Sequence, residues 1–161
     1  MMCETCKNKS WCRYVGSDVN VCKYYKESEP AFVRPDKNEY YLGIAAAVSR
    51  RSTCIRRQYG AVIVNNDEII STGYNGAPRG MPNCCDTGVC NREGRKHNDG
   101  NYDNCCSVHA EMNAMLSASR NEMLGGTLYL AGFENGRAIA AEPCPICKRL
   151  IINAGIKEVI S

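Results

Sequence analysis

The chain has 161 residues, 44% of them hydrophobic, and its 20 basic and 17 acidic side chains leave a formal charge of +3. That length allows one compact domain plus a small appendage. The apolar stretches fall far short of the roughly 20 residues a membrane helix needs. A charge this small is too weak by itself to argue for a nucleic-acid partner, and none is expected. Twelve cysteines are the compositional outlier. The start, MMCETCKNKS, lacks the apolar core of a signal peptide, so a cytoplasmic chain with reduced, metal-holding thiols is expected over a disulfide framework.

Residues 1–30 form a polar, Cys-rich segment in which Cys3, Cys6, Cys12 and Cys22 could make a small zinc knot. The pattern changes at Asp36, which opens the domain expected over residues 36–161. Asp36 with Glu39 reads as a capping box, and Leu42, Ala45, Ala46 and Val48 recur at helical spacing to about residue 51. Residues 59–65, rich in β-branched side chains, and 68–73 flank a turn at Asn65–Asp67 and predict a hairpin. A Gly/Pro/Asn loop follows over 74–82. The stretch to Cys106 is polar and aperiodic, a length of loop that is usually disordered or functional. Its five cysteines favour function.

Residues 109–121 read as a helix with Ala110, Ala114, Leu116 and Met123–Leu124 on its inner side. Then come a strand at 127–131, a loop over 132–142, a helix over 144–154 with Pro143 at its start, and a strand at 156–160. Gly155 ends the last helix. This order predicts an α/β sandwich, a mixed sheet with helices on its faces.

The chemistry concentrates in His109-Ala110-Glu111 and Pro143-Cys144-Pro145-Ile146-Cys147. Cysteines three apart lie on one helix face, and a helix N-terminus favours thiolate, the form zinc requires. His109 would make a third ligand, leaving one place of a tetrahedral zinc open for water, as catalytic sites do. Glu111, close but not needed as a ligand, can carry the water's proton. H-x-E…P-C-x-x-C is a recognised signature of zinc deaminases.

With these motifs the chain resembles the deoxycytidylate (dCMP) deaminase family within the cytidine deaminase superfamily. The resemblance runs through Cys54, residues 59–64 (YGAVIV), 71–78 (STGYNGAP), 109–114 (HAEMNA), 143–147 (PCPIC) and 151–156 (IINAGI). It implies a three-layer α-β-α cytidine-deaminase-like sandwich with a central mixed sheet. It also implies hydrolysis of dCMP to dUMP and ammonia, supplying dUMP for thymidylate synthesis. Zinc would activate the water while Glu111 protonates N3 and then the departing amine. Asn75 would hold the sugar, the Ala110 backbone would read the base, and Arg120 would sit near a phosphate of the nucleotide or of an effector.

The family also implies a second, structural zinc on the long loop. Its candidates are Cys54, Cys84, Cys85, Cys90, Cys105 and Cys106, with His97 in reserve. Cys54, Cys85, Cys90 and Cys105 are the set expected here. Homo-oligomers, often hexamers, are implied too, and a sheet edge left by the last strand would call for covering by self-association. Three alternatives stay open: cytidine or deoxycytidine as substrate, cytosine in single-stranded nucleic acid, and a zinc module without activity. Low aromatic content argues against the second, and an intact Glu111 against the third.

Overall fold

The structure is a computed structural model that describes residues 33–96, 99–100 and 102–161. The chain divides into two units, Met1–Arg34 and Pro35–Ser161. The cysteines at 3, 6, 12 and 22, and His97, lie outside the described residues.

Helix α1, Lys37–Ser49, begins at the expected capping box. The Glu39 amide donates to Asp36 Oδ1 at 2.8 Å and the Asp36 amide donates to Glu39 Oε2 at 3.2 Å. Its deepest stripe is Tyr41, Ala45 and Ser49, one turn apart each. Strands β1, Arg57–Asn65, and β2, Glu68–Tyr74, form the predicted hairpin. Asn66 and Asp67 take φ of 49° and 69° at its tip, the left-handed conformation that two-residue hairpin turns require.

β3, Thr127–Glu134, pairs antiparallel with β1 along its whole length. β5, Glu158–Ile160, pairs parallel with the start of β3, while β4, Arg137–Ile139, pairs antiparallel with its end. With β1 on one side of β3, the two short strands share the other. The result is a mixed five-stranded sheet.

Alternation along the strands sends successive side chains to opposite faces. Val62, Val64 and Tyr129 pack with Tyr41 and Ala45 of α1 on one face. Ala61, Ile63, Leu128 and Leu130 pack on the other with α3, Ala110–Leu116, and α5, Pro145–Ala154. Three layers result, as expected.

Four local expectations need correction. The helix read over 109–121 stops at Leu116, because the Ser117 hydroxyl donates back to the Asn113 carbonyl at 2.9 Å and so competes with the helical ladder. Ser119 and Glu122 then form a capping box for a separate turn, α4, Arg120–Met123. This early ending leaves Leu116, expected inside, 80% exposed. The loop expected over 132–142 contains the β3–β4 hairpin, turned by Asn135 and Gly136 at φ of 51° and 74°. The long loop holds a short helix, α2, Cys84–Thr87. Finally, the first-turn proline of α5 is Pro145, with Cys144 as N-cap.

Candidate metal centre

α3 is seated on β2 with almost no side chain between them. A Cβ at Gly73 would lie 2.3 Å from both the Ala110 carbonyl oxygen and the Ala114 nitrogen, so only glycine permits the approach. The buried Ser71 hydroxyl donates to the Ala114 carbonyl at 2.8 Å, and Asn113 Nδ2 to the Tyr74 carbonyl at 2.7 Å. This seat fixes the N-terminus of α3, where His109 is the N-cap and Glu111 lies in the first turn.

α5 brings its own N-terminus to the same place. Cys144 is the N-cap and its sulfur accepts the Cys147 amide at 3.4 Å. His109 Nδ1 lies 3.5 Å from Cys144 Sγ and 3.4 Å from Cys147 Sγ. Among the described residues, these three form the one cluster whose ligand atoms all lie within 4.8 Å of one another. Both cysteines are buried, and Glu111 is 5% exposed beside them.

Burial pushes the Cys147 thiol well above its ordinary range, reinforced by the charges of Glu111 and Cys144. Burial likewise raises the Glu111 carboxyl, opposed by hydrogen bonds from its own backbone and from Cys147. Two buried sulfurs, an imidazole and an adjacent carboxylate strain against sharing so small a volume without a cation. One imidazole and two thiolates are also the donor set that zinc accepts while keeping a place for water. The residues present fit the ion.

The pocket over this cluster is lined by His109, Ala110, Glu111 and Cys144, together with Asn75, Tyr59 and a basic group, Arg56, Arg57, Arg92 and Lys96. Asn75 is buried, and its amide ties β1 to the loop before it. Its Oδ1 accepts from the Tyr59 amide and the Ser52 hydroxyl, both at 2.7 Å, and its Nδ2 donates to the Arg57 carbonyl at 2.9 Å. Ala110 sits at the first position of α3, where amides lack an acceptor within the helix. Arg120 is not among the pocket's residues; its Nε donates to the Asn153 carbonyl at 3.3 Å.

Sequence reasoning missed the basic group and Tyr59. Arg57 is held by Glu134 at 3.0 and 3.2 Å. Arg92 pairs with Asp99 and lies 4.2 Å over the Tyr102 ring. Arg56 donates to the Arg92 carbonyl at 2.6 Å and to that of Arg95. Among the described residues no carboxylate pairs with Arg56 or Lys96. The double-arginine run at 56–57, at the entry to β1, was the available signal.

The loop cysteines do not converge as the catalytic three do. Cys85 is exposed with its sulfur 3.6 Å from Asp86 Oδ1, and Cys105 lines the pocket with Cys54 and Cys90. The close pair is Cys84 and Cys106, 3.5 Å apart. The Cys84 thiol is pushed up to about 12, by burial first, then by Cys106, with Cys54 and Cys90 also near enough to contribute.

Residues 35–161 match the model of a family described as the cytidine and deoxycytidylate deaminase zinc-binding region. The deoxycytidylate deaminase of Mycobacterium phage D29 is 39% identical over 79% of this chain and 94% of its own length. That of Schizosaccharomyces pombe is 37% identical over 81% of this chain, which spans 38% of the yeast protein. Among solved structures, the dCMP deaminase of cyanophage S-TIM5 in complex with dCMP and dUMP is 29% identical. It aligns over 80% of this chain and 82% of its own, with a TM-score of 0.56. The family match covers the whole three-layer unit and both halves of the His/Cys/Cys cluster, and the chain belongs to the cytidine and deoxycytidylate deaminase zinc-binding family.

Proposed function

We propose that this chain hydrolyses dCMP to dUMP and ammonia, providing dUMP for thymidylate synthesis. The observation that carries the reading is the meeting of His109, Cys144 and Cys147 with the carboxyl of Glu111 buried against them. The S-TIM5 relative was solved with dCMP and dUMP bound, the substrate and product of this reaction.

Zinc held by His109, Cys144 and Cys147 would supply a water acidified to react near neutral pH. Glu111 would accept a proton from the attacking water and deliver it to N3 of the cytosine. It would then pass the water's other proton to the exocyclic amine, so that the C4–N bond breaks, ammonia leaves and the oxygen stays on C4 as the carbonyl. Its burial strips solvent from the carboxylate and raises its basicity, which suits both transfers. The Ala110 amide is assigned to the base and Asn75, through its remaining amide hydrogen, to the sugar.

The basic group supports a nucleotide over a nucleoside. Arg57 and Arg92 are neutralised by Glu134 and Asp99, which leaves Arg56 and Lys96 as cations for a 5′-phosphate. Arg120 lies outside this pocket and is given no role in it. The test is ammonia release from dCMP, CMP, deoxycytidine, cytidine and dCTP. Each charge-assisted bond is worth about 1.5–3 kcal/mol, so kcat/KM for deoxycytidine should fall about 100-fold or more below that for dCMP. Equal constants for the two would exclude phosphate recognition.

A second, structural zinc is proposed on Cys54, Cys84, Cys90 and Cys106. This set moves two ligands by one residue from the sequence expectation, following the Cys84–Cys106 approach. Metal analysis of residues 35–161 should find two zincs per chain and one after Cys84→Ser with Cys106→Ser. Self-association is proposed through the apolar side chains that α3 and α5 leave exposed, Leu116 at 80% and Ile152 at 75%; light scattering tests it. No helix among the described residues is long and apolar enough to cross a membrane, and the described cysteines are free thiols, as a cytoplasmic location would favour.

A further inference from the structure

His109 and Cys144 are both N-caps just outside the helices they precede, and Cys144 is tied to its helix through its sulfur, which accepts the Cys147 amide at 3.4 Å. The His109 side chain makes no capping bond; its imidazole packs edge-on against the Tyr102 ring, centroids 5.1 Å apart, and the backbone on either side helps set where it stands. On the C-terminal side that is α3 itself. On the N-terminal side it is a two-bond bridge across chain segments distant in sequence. The Gly76 amide donates to the Val108 carbonyl at 3.1 Å, and the Val108 amide donates to the Gly76 carbonyl at 2.8 Å.

Gly76 reaches Val108 through a narrow passage. A Cβ at Gly76 would lie 2.4 Å from Thr53 Oγ1, while the next nearest atoms, also of Thr53, are 3.4 and 3.6 Å away. The Thr53 backbone is held in place, so relief of the clash would need its β-branched side chain to leave a restricted χ1 rotamer. Its amide donates to the Asn75 carbonyl at 3.3 Å, and its carbonyl accepts the Cys85 amide at 3.1 Å. Its hydroxyl is the only buried side-chain oxygen or nitrogen without a hydrogen-bond partner among the described residues. Leaving such a group unpaired is unfavourable.

We propose that Gly76 is a positioning residue for the zinc site: kept bare by Thr53, it lets the Gly76–Val108 bridge hold His109 against Cys144 and Cys147. The inference rests on the zinc reading of the cluster but not on the choice of substrate. A side chain at Gly76 would move the loop at residues 75–77 off Thr53, take Val108 with it, and displace the imidazole from the thiols. Enlarging the passage by trimming Thr53 should undo the effect.

The experiment compares the full chain with its Gly76→Ala, Thr53→Ala and doubly substituted variants. Zinc affinity is read by competition with a chromogenic chelator, and the ligand geometry by the absorption spectrum of the cobalt-substituted protein. Gly76→Ala should weaken zinc binding about 10- to 100-fold, the range for groups that orient metal ligands, and alter the cobalt spectrum. Thr53→Ala alone should leave both unchanged, and the double variant should recover both. If Gly76→Ala does not fold, recovery of folding and zinc binding in the double variant supports the proposal. Gly76→Ala with parental zinc affinity overturns it, and so does a double variant no better than the single one. A parent chain that binds no zinc overturns the reading of the cluster itself, a separate failure.

Discussion

His109 Nδ1 and Cys147 Sγ stand 3.4 Å apart although 38 residues separate them in the chain. Each is carried by the N-terminus of a helix lying on the same face of the sheet, so the site is a product of how two helices are seated. Replacing Cys147 by serine keeps the shape of that seat and removes a thiolate. Zinc affinity should fall more than about 10-fold, read by chelator competition, with melting in the presence of chelator nearly unchanged. Undiminished affinity would remove Cys147 from the ligand set.

Gly73 is where the seat of α3 is most easily broken. Alanine there forces its Cβ to 2.3 Å from two backbone atoms of the helix, an overpacking that costs about 3 kcal/mol. Chemical denaturation should show that loss, and zinc affinity should drop with it because both His109 and Glu111 ride on the displaced helix. Loss of stability with zinc binding intact would show that α3 adjusts without moving its N-terminus.

The opposite face gives a control. Asp36→Ala deletes the cap of α1, worth about 1 kcal/mol, and α1 contacts neither the pocket nor the cluster. Stability should fall by that amount while turnover is unaffected. A matching fall in turnover would mean that the α1 layer is coupled to the site.

Tyr41 links stability to alkaline pH. Burial, and then its hydrogen bond to Asp67 Oδ1 at 2.9 Å, pushes the phenol up to about 12, against about 10 in the unfolded chain. A group held neutral by the fold stabilises it fully below the unfolded value and ceases to do so as pH rises through the folded one. The parent should therefore lose stability between pH about 10 and 12, a slope that Tyr41→Phe lacks. Parallel melting curves for the two proteins across that window would contradict the assignment.

Much of this was legible in the residues. The HAE and PCPIC pieces carry their own chemistry, and the capping box at Asp36 and the β1–β2 hairpin follow from local rules. The misses were also local: Ser119 with Glu122 and Asn135-Gly136 were readable punctuation, submerged in a helical and a loop-like run. Other features depend on pairing that no short window contains. Asn75 clamps Tyr59 and Ser52 only because β1 and β2 are neighbours, and Gly76 is confined only because Thr53 lies across it. Adjacent cysteines point in different directions, so Cys84–Cys85 and Cys105–Cys106 do not reveal which sulfurs meet.

Glu111→Gln is the sharpest test, because it keeps the side chain's size and leaves His109, Cys144 and Cys147 in place while removing the proton carrier. The variant should be a folded, zinc-loaded protein whose release of ammonia from dCMP is lower by about 100- to 10,000-fold. Turnover equal to the parent's, with zinc bound, would contradict that role for Glu111.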